Sequence, residues 1–155
     1  MQTILEANKL CKQYKDFALK DVSLSLPKGA IMGFIGENGA GKTTTIRLLL
    51  HMIAADSGSA RIFGLDHVKD ELAIKQEIGV VFDELGFYET LKPKDIAAIH
   101  AGLYRRWDDT LFEHYLEKFR LPQKQVKEYS RGMKMKLAIS AALSHHPKLL
   151  ILDEA

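Results

Sequence analysis

The sequence predicts an α/β fold, and three observations carry that expectation. Short apolar runs at 30–35 (AIMGFI), 78–82 (IGVVF) and 148–152 (KLLIL) read as buried strands. Segments with apolar residues at helical spacing stand between them. A glycine-rich stretch, Gly36-Glu37-Asn38-Gly39-Ala40-Gly41-Lys42-Thr43, joins the first of these runs to a helical pattern. It matches the phosphate-loop spacing G-x-x-x-x-G-K-[ST] at every fixed position, in the strand–loop–helix context that spacing requires.

The elements follow in order. Residues 3–10 and 18–26 are strand candidates. The second alternates Val22, Leu24 and Leu26 with Asp21, Ser23 and Ser25, a half-buried antiparallel pattern. A polar turn at 13–17 joins them and holds Tyr14. Pro27-Lys28-Gly29 turns into the loop strand. After the loop, Ile46, Leu49 and Leu50 mark a helix over 44–51. Asp56-Ser57-Gly58 is a turn, 59–63 a short strand ended by Gly64, and 68–76 a brief helix. The run 78–82 stops at Asp83-Glu84, and acids at a buried strand's end sit where α/β sheets place ligand chemistry.

From Pro93 the pattern becomes helical. Residues 95–107 place Ile96, Ile99, Leu103 and Tyr104 on one face. Residues 110–119 form a second helix, with Asp108 or Asp109 as its N-cap. Residues 131–145 form a third, capped by Ser130. The last run, 148–152, buries Leu149, Leu150, Ile151 and Leu152 and delivers Asp153 and Glu154. A helical block is thus inserted between two strands of an α/β core.

Composition narrows the function. With 155 residues, 46% hydrophobic and 27% charged, the chain is long enough for one domain with a core. Its 22 basic and 20 acidic residues are interspersed and leave a net charge of +2, too small to argue for a nucleic-acid partner. Cys11 is the single cysteine, so no internal disulfide forms, as suits a reducing compartment. Glu6 and Lys9 interrupt any leader-like start, and no apolar run reaches the roughly 20 residues of a membrane span. These features predict a soluble chain whose membrane role, if any, comes through a partner.

The chemistry follows from the loop. Its glycines let backbone amides converge on an anion at a helix N-terminus. Lys42 supplies a mobile charge for the β- and γ-phosphates, and Thr43 a hydroxyl for Mg²⁺. Four apolar residues ending in Asp153 have the form of a Walker B strand, a weak signal alone and a strong one downstream of a phosphate loop. Glu154, one residue on, stands where a carboxylate orients the attacking water. His145-His146 reads as a cationic helix end suited to the dipole. His51, His67, His100 and His114 show no ligand spacing, and Trp107 reads as a helix-end anchor.

These residues, with Tyr14 ahead of Ala18-Leu19-Lys20-Asp21-Val22, Asp56-Ser57-Gly58 before Arg61-Ile62-Phe63-Gly64, and Tyr129-Ser130-Arg131-Gly132-Met133 ahead of a helix and strand, make the chain resemble the ATP-binding subunit of an ABC transporter. The resemblance covers the whole chain. It implies a P-loop NTPase core with an N-terminal antiparallel β part and an inserted α-helical subdomain. The core would span 1–83 and 147–155, and the helical signature subdomain 84–146. By resemblance, Tyr14 stacks on adenine. Gly36, Asn38, Gly39, Ala40, Gly41, Lys42, Thr43 and Thr44 hold the phosphates. Thr43, Asp83 and Asp153 face Mg²⁺, and Glu154 is catalytic. Ser130, Arg131, Gly132 and Met133 form the signature that reaches ATP on a second subunit, in a homodimer or heterodimer.

The implied function is ATP hydrolysis that powers a transmembrane permease, from the cytoplasmic side of the cell membrane and without nucleic acid. Two positions depart from the family pattern. Asp83 stands where Gln is usual. Arg131 and Met133 replace Gly and Gln in the signature, a Ser-Arg-Gly form similar to the drug- and antibiotic-exporter branch. By the same resemblance, the C-terminal strands of the family fold are missing, including the switch-histidine strand between the loop strand and the Walker B strand. The expectation is closure of that gap, a strand from another copy, or an altered C-terminal arrangement. Nucleotide binding with little hydrolysis is expected to accompany it.

Other classes fit less well. A DNA-repair ATPase of this kind carries a long coiled coil between its Walker motifs, and the stretch from Lys42 to Asp153 is too short for one. The translation type joins two cassettes. A GTPase would carry N-K-x-D, whereas Asn8-Lys9 continues with Leu10-Cys11.

Overall fold

The alternating pattern of the first strands produces an antiparallel sheet. The structure is a computed structural model that describes residues 2–82 and 89–153, and it divides into two compact units, Met1–Lys75 and Gln76–Ala155. In the first unit, β1 (Thr3–Gln13) pairs with β2 (Ala18–Pro27) in a register that includes Glu6↔Ser25 and Leu10↔Val22. Val22, Leu24 and Leu26 are half-buried while Ser23 and Ser25 are exposed, as the alternation predicts. The other edge of β1 pairs with β3 (Ser57–Ile62).

A short strand the sequence reading missed, β4 (Leu65–Asp66), completes the order β2-β1-β3-β4. It returns through a two-residue turn in which Phe63 (φ 56°) and Gly64 (φ 79°) are both left-handed. That geometry matches the twist of an antiparallel hairpin. The unit also holds α1 (Lys42–Leu49) and α2 (Glu71–Lys75). Ile46, Leu48 and Leu49 are buried, as are Leu5, Ala7, Leu10 and Ile62 of the sheet.

One expected strand does not form. Residues 30–35 belong to neither sheet. Ile31 and Ile35 are fully exposed, and Met32 and Phe34 are also exposed. An apolar β-branched run sets a propensity. A strand also needs neighbours to take its N–H and C=O groups.

In the second unit β5 (Ile78–Val81) and β6 (Leu149–Leu152) are parallel, with Ile78↔Leu149 and Val81↔Leu152 in register. Between them come α3 (Pro93–Leu103), α4 (Asp109–Lys118), a 3-10 turn (Val126–Glu128) and α5 (Arg131–Leu143). Ile96, Phe112, Leu116, Val126, Tyr129 and Leu137 form the helical core. Val81 of β5 packs with Ala138 and Ala142 of α5. Trp107 packs on the helical core, its ring centroid 5.2 Å from that of Phe112, and its indole N–H donates to Asp109.

Three side-chain expectations are corrected in this unit. Leu150 and Leu152 of β6 are exposed, and α5 of the same unit packs on β5. On α3, Ile96 is buried, whereas Ile99 and Leu103 are exposed. His145 is not a solvated cation at a helix end. It is buried, its Nε2 lies 3.0 Å from the Ile78 carbonyl oxygen, and its ring stacks on Tyr104 at 3.9 Å. Burial holds its pKa below the usual histidine value. Among the described residues no helix is long and apolar enough to cross a membrane.

Candidate phosphate-binding site

The loop is shaped by its glycines. Gly39 (φ 85°) and Gly41 (φ 96°) both take left-handed conformations that an L-residue enters at a cost. Gly41 has a second reason to be glycine. A Cβ there would lie 2.7 Å from Leu19 Cδ1 and 2.9 Å from Phe17 Cζ. The end of the β1–β2 hairpin therefore abuts the loop directly. Gly41 is also the N-cap of α1, and no side chain caps that helix. Thr45, one turn on, donates its hydroxyl to the Gly41 carbonyl at 2.8 Å.

Lys42 folds back over this bend. Its ammonium donates to the Gly36 carbonyl oxygen at 2.6 Å and to that of Glu37 at 3.0 Å. The Ala40 N–H donates to Glu37 O at 3.1 Å and tightens the same turn. A cation held by neutral carbonyls at an uncapped helix start gains from contact with a charged oxygen, since charge-assisted hydrogen bonds are about twice as strong as neutral ones. The helix dipole favours the same sign of ligand. Gly36, Asn38, Gly39 and Ala40 are exposed, and Gly41, Lys42, Thr43 and Thr44 are half-buried, so the candidate phosphate ligands form one accessible stretch.

Tyr14 stands on the hairpin whose Phe17 touches Gly41. The residue is 41% exposed, and its ring lies 6.3 Å from the Phe17 ring and has the Lys12 ammonium 5.8 Å from its centroid. The first unit thus brings the candidate base-stacking and phosphate-holding residues into one region.

The remaining candidates lie in the second unit. Asp153 follows β6, is only 6% exposed, and its N–H donates to the Val81 carbonyl at 2.8 Å. Hard oxygen donors such as the Asp153 carboxylate and the Thr43 hydroxyl suit Mg²⁺, which takes one or two protein oxygens together with substrate phosphates. Asp83 and Glu154 lie outside the described residues. Ser130 is the N-cap of α5, as expected, and its hydroxyl accepts from the Met133 N–H at 3.2 Å. Arg131 and Gly132 are exposed beside it, and Met133 packs against the helical core. Tyr129 is buried and donates its hydroxyl to the Pro122 carbonyl, so the turn that presents the signature is anchored from below.

Sequence reasoning overlooked the polar contacts that hold the helices to β5. Arg106 bridges Glu77 at 2.6 Å and the His146 carbonyl at 2.9 Å. His146 in turn meets Asp108 at 2.9 Å. The Leu111 N–H at the helix cap, and then His146, keep the Asp108 carboxyl below its ordinary range. No motif marks such contacts, because they join residues far apart in the chain.

The chain as a whole is similar to known proteins. The profile of the family described as ABC transporter matches residues 19–155. The bacitracin transport ATP-binding protein BcrA of Bacillus licheniformis is 38% identical over 158 residues, covering 99% of this chain and 52% of that protein. The linearmycin resistance ATP-binding protein LnrL of Bacillus subtilis is 34% identical, covering 97% and 51%. The chain thus spans about half the length of the curated relatives it matches. A solved ATP-binding subunit of an ABC transporter superposes with a TM-score of 0.85 at 28% identity, covering 98% of this chain and 66% of the other. With a matching profile over most of its length and a P-loop α/β fold shared with such subunits, this chain belongs to the ABC transporter family.

Proposed function

We propose that this chain binds ATP through the loop at 36–44 and belongs to a subunit that couples ATP hydrolysis to transport through a membrane permease. Tyr14 stacks on the base, and Lys42 leaves the Gly36 and Glu37 carbonyls for the β- and γ-phosphate oxygens. Thr43 and Asp153 supply oxygens to Mg²⁺, with Asp83 as a further donor, and the bound ion would neutralise charge on the phosphates. Glu154 orients the attacking water. Ser130, Arg131, Gly132 and Met133 face ATP bound to a second subunit of the same kind. The core of the domain is 1–83 with 147–155, and 84–146 is its helical part. The subunit works at the inner face of the cell membrane, held there by its permease. The names of the bacitracin and linearmycin relatives, together with Ser130-Arg131-Gly132, favour export of a drug-like or antibiotic-like molecule.

One observation carries this reading: the Lys42 ammonium is poised over a left-handed glycine bend at an uncapped helix start. The test is calorimetric titration of ATP into the wild-type chain and Lys42→Ala. Losing a charge-assisted contact of about 1.5–3 kcal/mol lowers affinity roughly ten- to hundredfold. Equal affinity in the two proteins overturns the assignment of the loop.

A further inference from the structure

The hairpin tip that carries Tyr14 is held by a residue from a different part of the first unit. Asp56 precedes β3, and its backbone N–H donates to the Cys11 carbonyl at 2.9 Å. Its carboxylate accepts from the Gln13 N–H at 2.6 Å and from the Lys12 ammonium at 3.3 Å. Both donors immediately precede Tyr14. The Gln13 side-chain amide then donates to the Tyr14 carbonyl at 2.7 Å, and the Tyr14 N–H donates to Phe17 O at 2.7 Å. Lys12 thus meets Asp56 on one side and the Tyr14 ring on the other.

Gly58 makes this reach possible. Its φ is 91°, and a Cβ there would lie 2.3 Å from the Lys9 carbonyl oxygen. Only a glycine lets the start of β3 come this close to β1, which brings Asp56 against Lys12 and Gln13. The carboxyl titrates below its ordinary range, chiefly because of the Gln13 N–H and then, against the opposing effect of burial, Lys12. It is therefore the charged form that makes these contacts at neutral pH.

We propose that Asp56 is a positioning residue for nucleotide binding: its carboxylate fixes Lys12 and Gln13, and through them sets the Tyr14 ring against which the base stacks. This rests on the reading of the site as an ATP site and adds a determinant of base affinity outside the phosphate loop. On this reading Asp56 acts through Lys12 and Gln13 rather than on the nucleotide, so its removal should affect the base and leave the phosphates alone.

The test compares ATP with inorganic tripolyphosphate, which has the phosphates and no base, by calorimetry on the wild type, Asp56→Ala, Asp56→Asn, Tyr14→Ala and Asp56→Ala/Tyr14→Ala. Stacking of a base on an aromatic ring is worth about 1–3 kcal/mol, so Tyr14→Ala should weaken ATP roughly five- to hundredfold. Asp56→Ala should lose at least about threefold of that, with tripolyphosphate affinity unchanged and no loss in the double variant beyond that of Tyr14→Ala alone. Asp56→Asn, which can still accept from Gln13 N–H but lacks the charge for Lys12, should fall between wild type and Asp56→Ala, and it serves as the test if the alanine variant does not fold. If Tyr14→Ala weakens ATP while both Asp56 variants bind it like wild type, the role given to Asp56 is wrong and the ATP site stands. An equal loss for tripolyphosphate assigns Asp56 to general support of the fold and also overturns the proposal. A wild-type chain that binds neither ligand removes both the ATP site and the role of Asp56.

Discussion

The phosphate loop and the signature turn both lie at the start of a helix, and they are built by opposite means. Before α1 the chain is exposed throughout 31–40, the cap is a glycine, and a lysine side chain bridges the bend. Before α5 the cap is Ser130, which already accepts from Met133 N–H, and the turn rests on buried Tyr129 and Leu137. The first geometry is set by backbone conformation, the second by packing. Substitutions should therefore act differently. In the loop, what matters is whether the backbone tolerates a Cβ. Under the signature, what matters is how much buried volume is lost.

The largest effect expected is in the packed region. Phe112 is 2% exposed and central to the helical core. Phe112→Ala should cost about 3–5 kcal/mol by removing buried surface and leaving a cavity. Urea unfolding followed by far-UV circular dichroism measures this. A loss below about 1 kcal/mol, far under the usual cost of such a truncation, would mean the signature turn does not depend on packing as described.

Next in size is the loop itself, where two glycines sharpen the contrast. A Cβ at Gly39 would have nothing within 4 Å, whereas one at Gly41 meets Leu19 and Phe17. Gly39→Ala should cost only the roughly 1–2 kcal/mol of a left-handed alanine. Gly41→Ala should cost more, because the hairpin tip must also shift, and it should lower ATP affinity further for the same reason. Equal effects in thermal unfolding and ATP titration would mean the contact between hairpin and loop is unimportant.

The same contrast explains what the sequence disclosed. Binary alternation made β2 readable, because Val22, Leu24 and Leu26 share one face. Side-chain caps made the starts of α4 and α5 readable, since Asp108 and Ser130 act through neighbours three residues away. The loop was readable because its glycines and Lys42 work within a few residues of one another. Residues 30–35 misled because burial of an apolar run depends on partners that the run does not specify. Leu150, Leu152, Ile99 and Leu103 misled for the same reason. β4 was hidden by Phe63, an unusual residue for a left-handed turn position. Asp56 was legible as a turn residue, while its bonds to Lys12 and Gln13 depend on how β3 lies against β1.

A smaller effect is expected at the signature cap. Ser130→Ala removes the hydroxyl that accepts Met133 N–H and should cost about 1 kcal/mol. Because α5 is also held by Leu137, Ala138 and Ala141, the helix should shorten at its first turn and remain folded. Hydrogen exchange at residues 131–134 should quicken while exchange at 137–142 stays as in the wild type. Uniform quickening along α5 would show that the cap, rather than packing, holds the helix.

The smallest effect separates packing from charge within the second unit. His145 and His100 both titrate below the ordinary histidine value, chiefly because burial disfavours the charged form; His145 adds repulsion at His100. The unfolded chain binds a proton near about pH 6.5, and the folded chain does so only at lower pH. Stability is therefore full above about pH 6.5 and falls as the pH drops from there toward the lower folded values. Thermal unfolding followed from neutral to mildly acidic pH should show a declining midpoint. In His145→Gln, whose side-chain amide can still donate toward Ile78 O, the decline should be shallower even if the midpoint at neutral pH is lower. An identical slope in the variant would place the pH sensitivity on His100, the other histidine of this unit that burial holds below its ordinary value, and leave His145 a purely steric filler between α5 and β5.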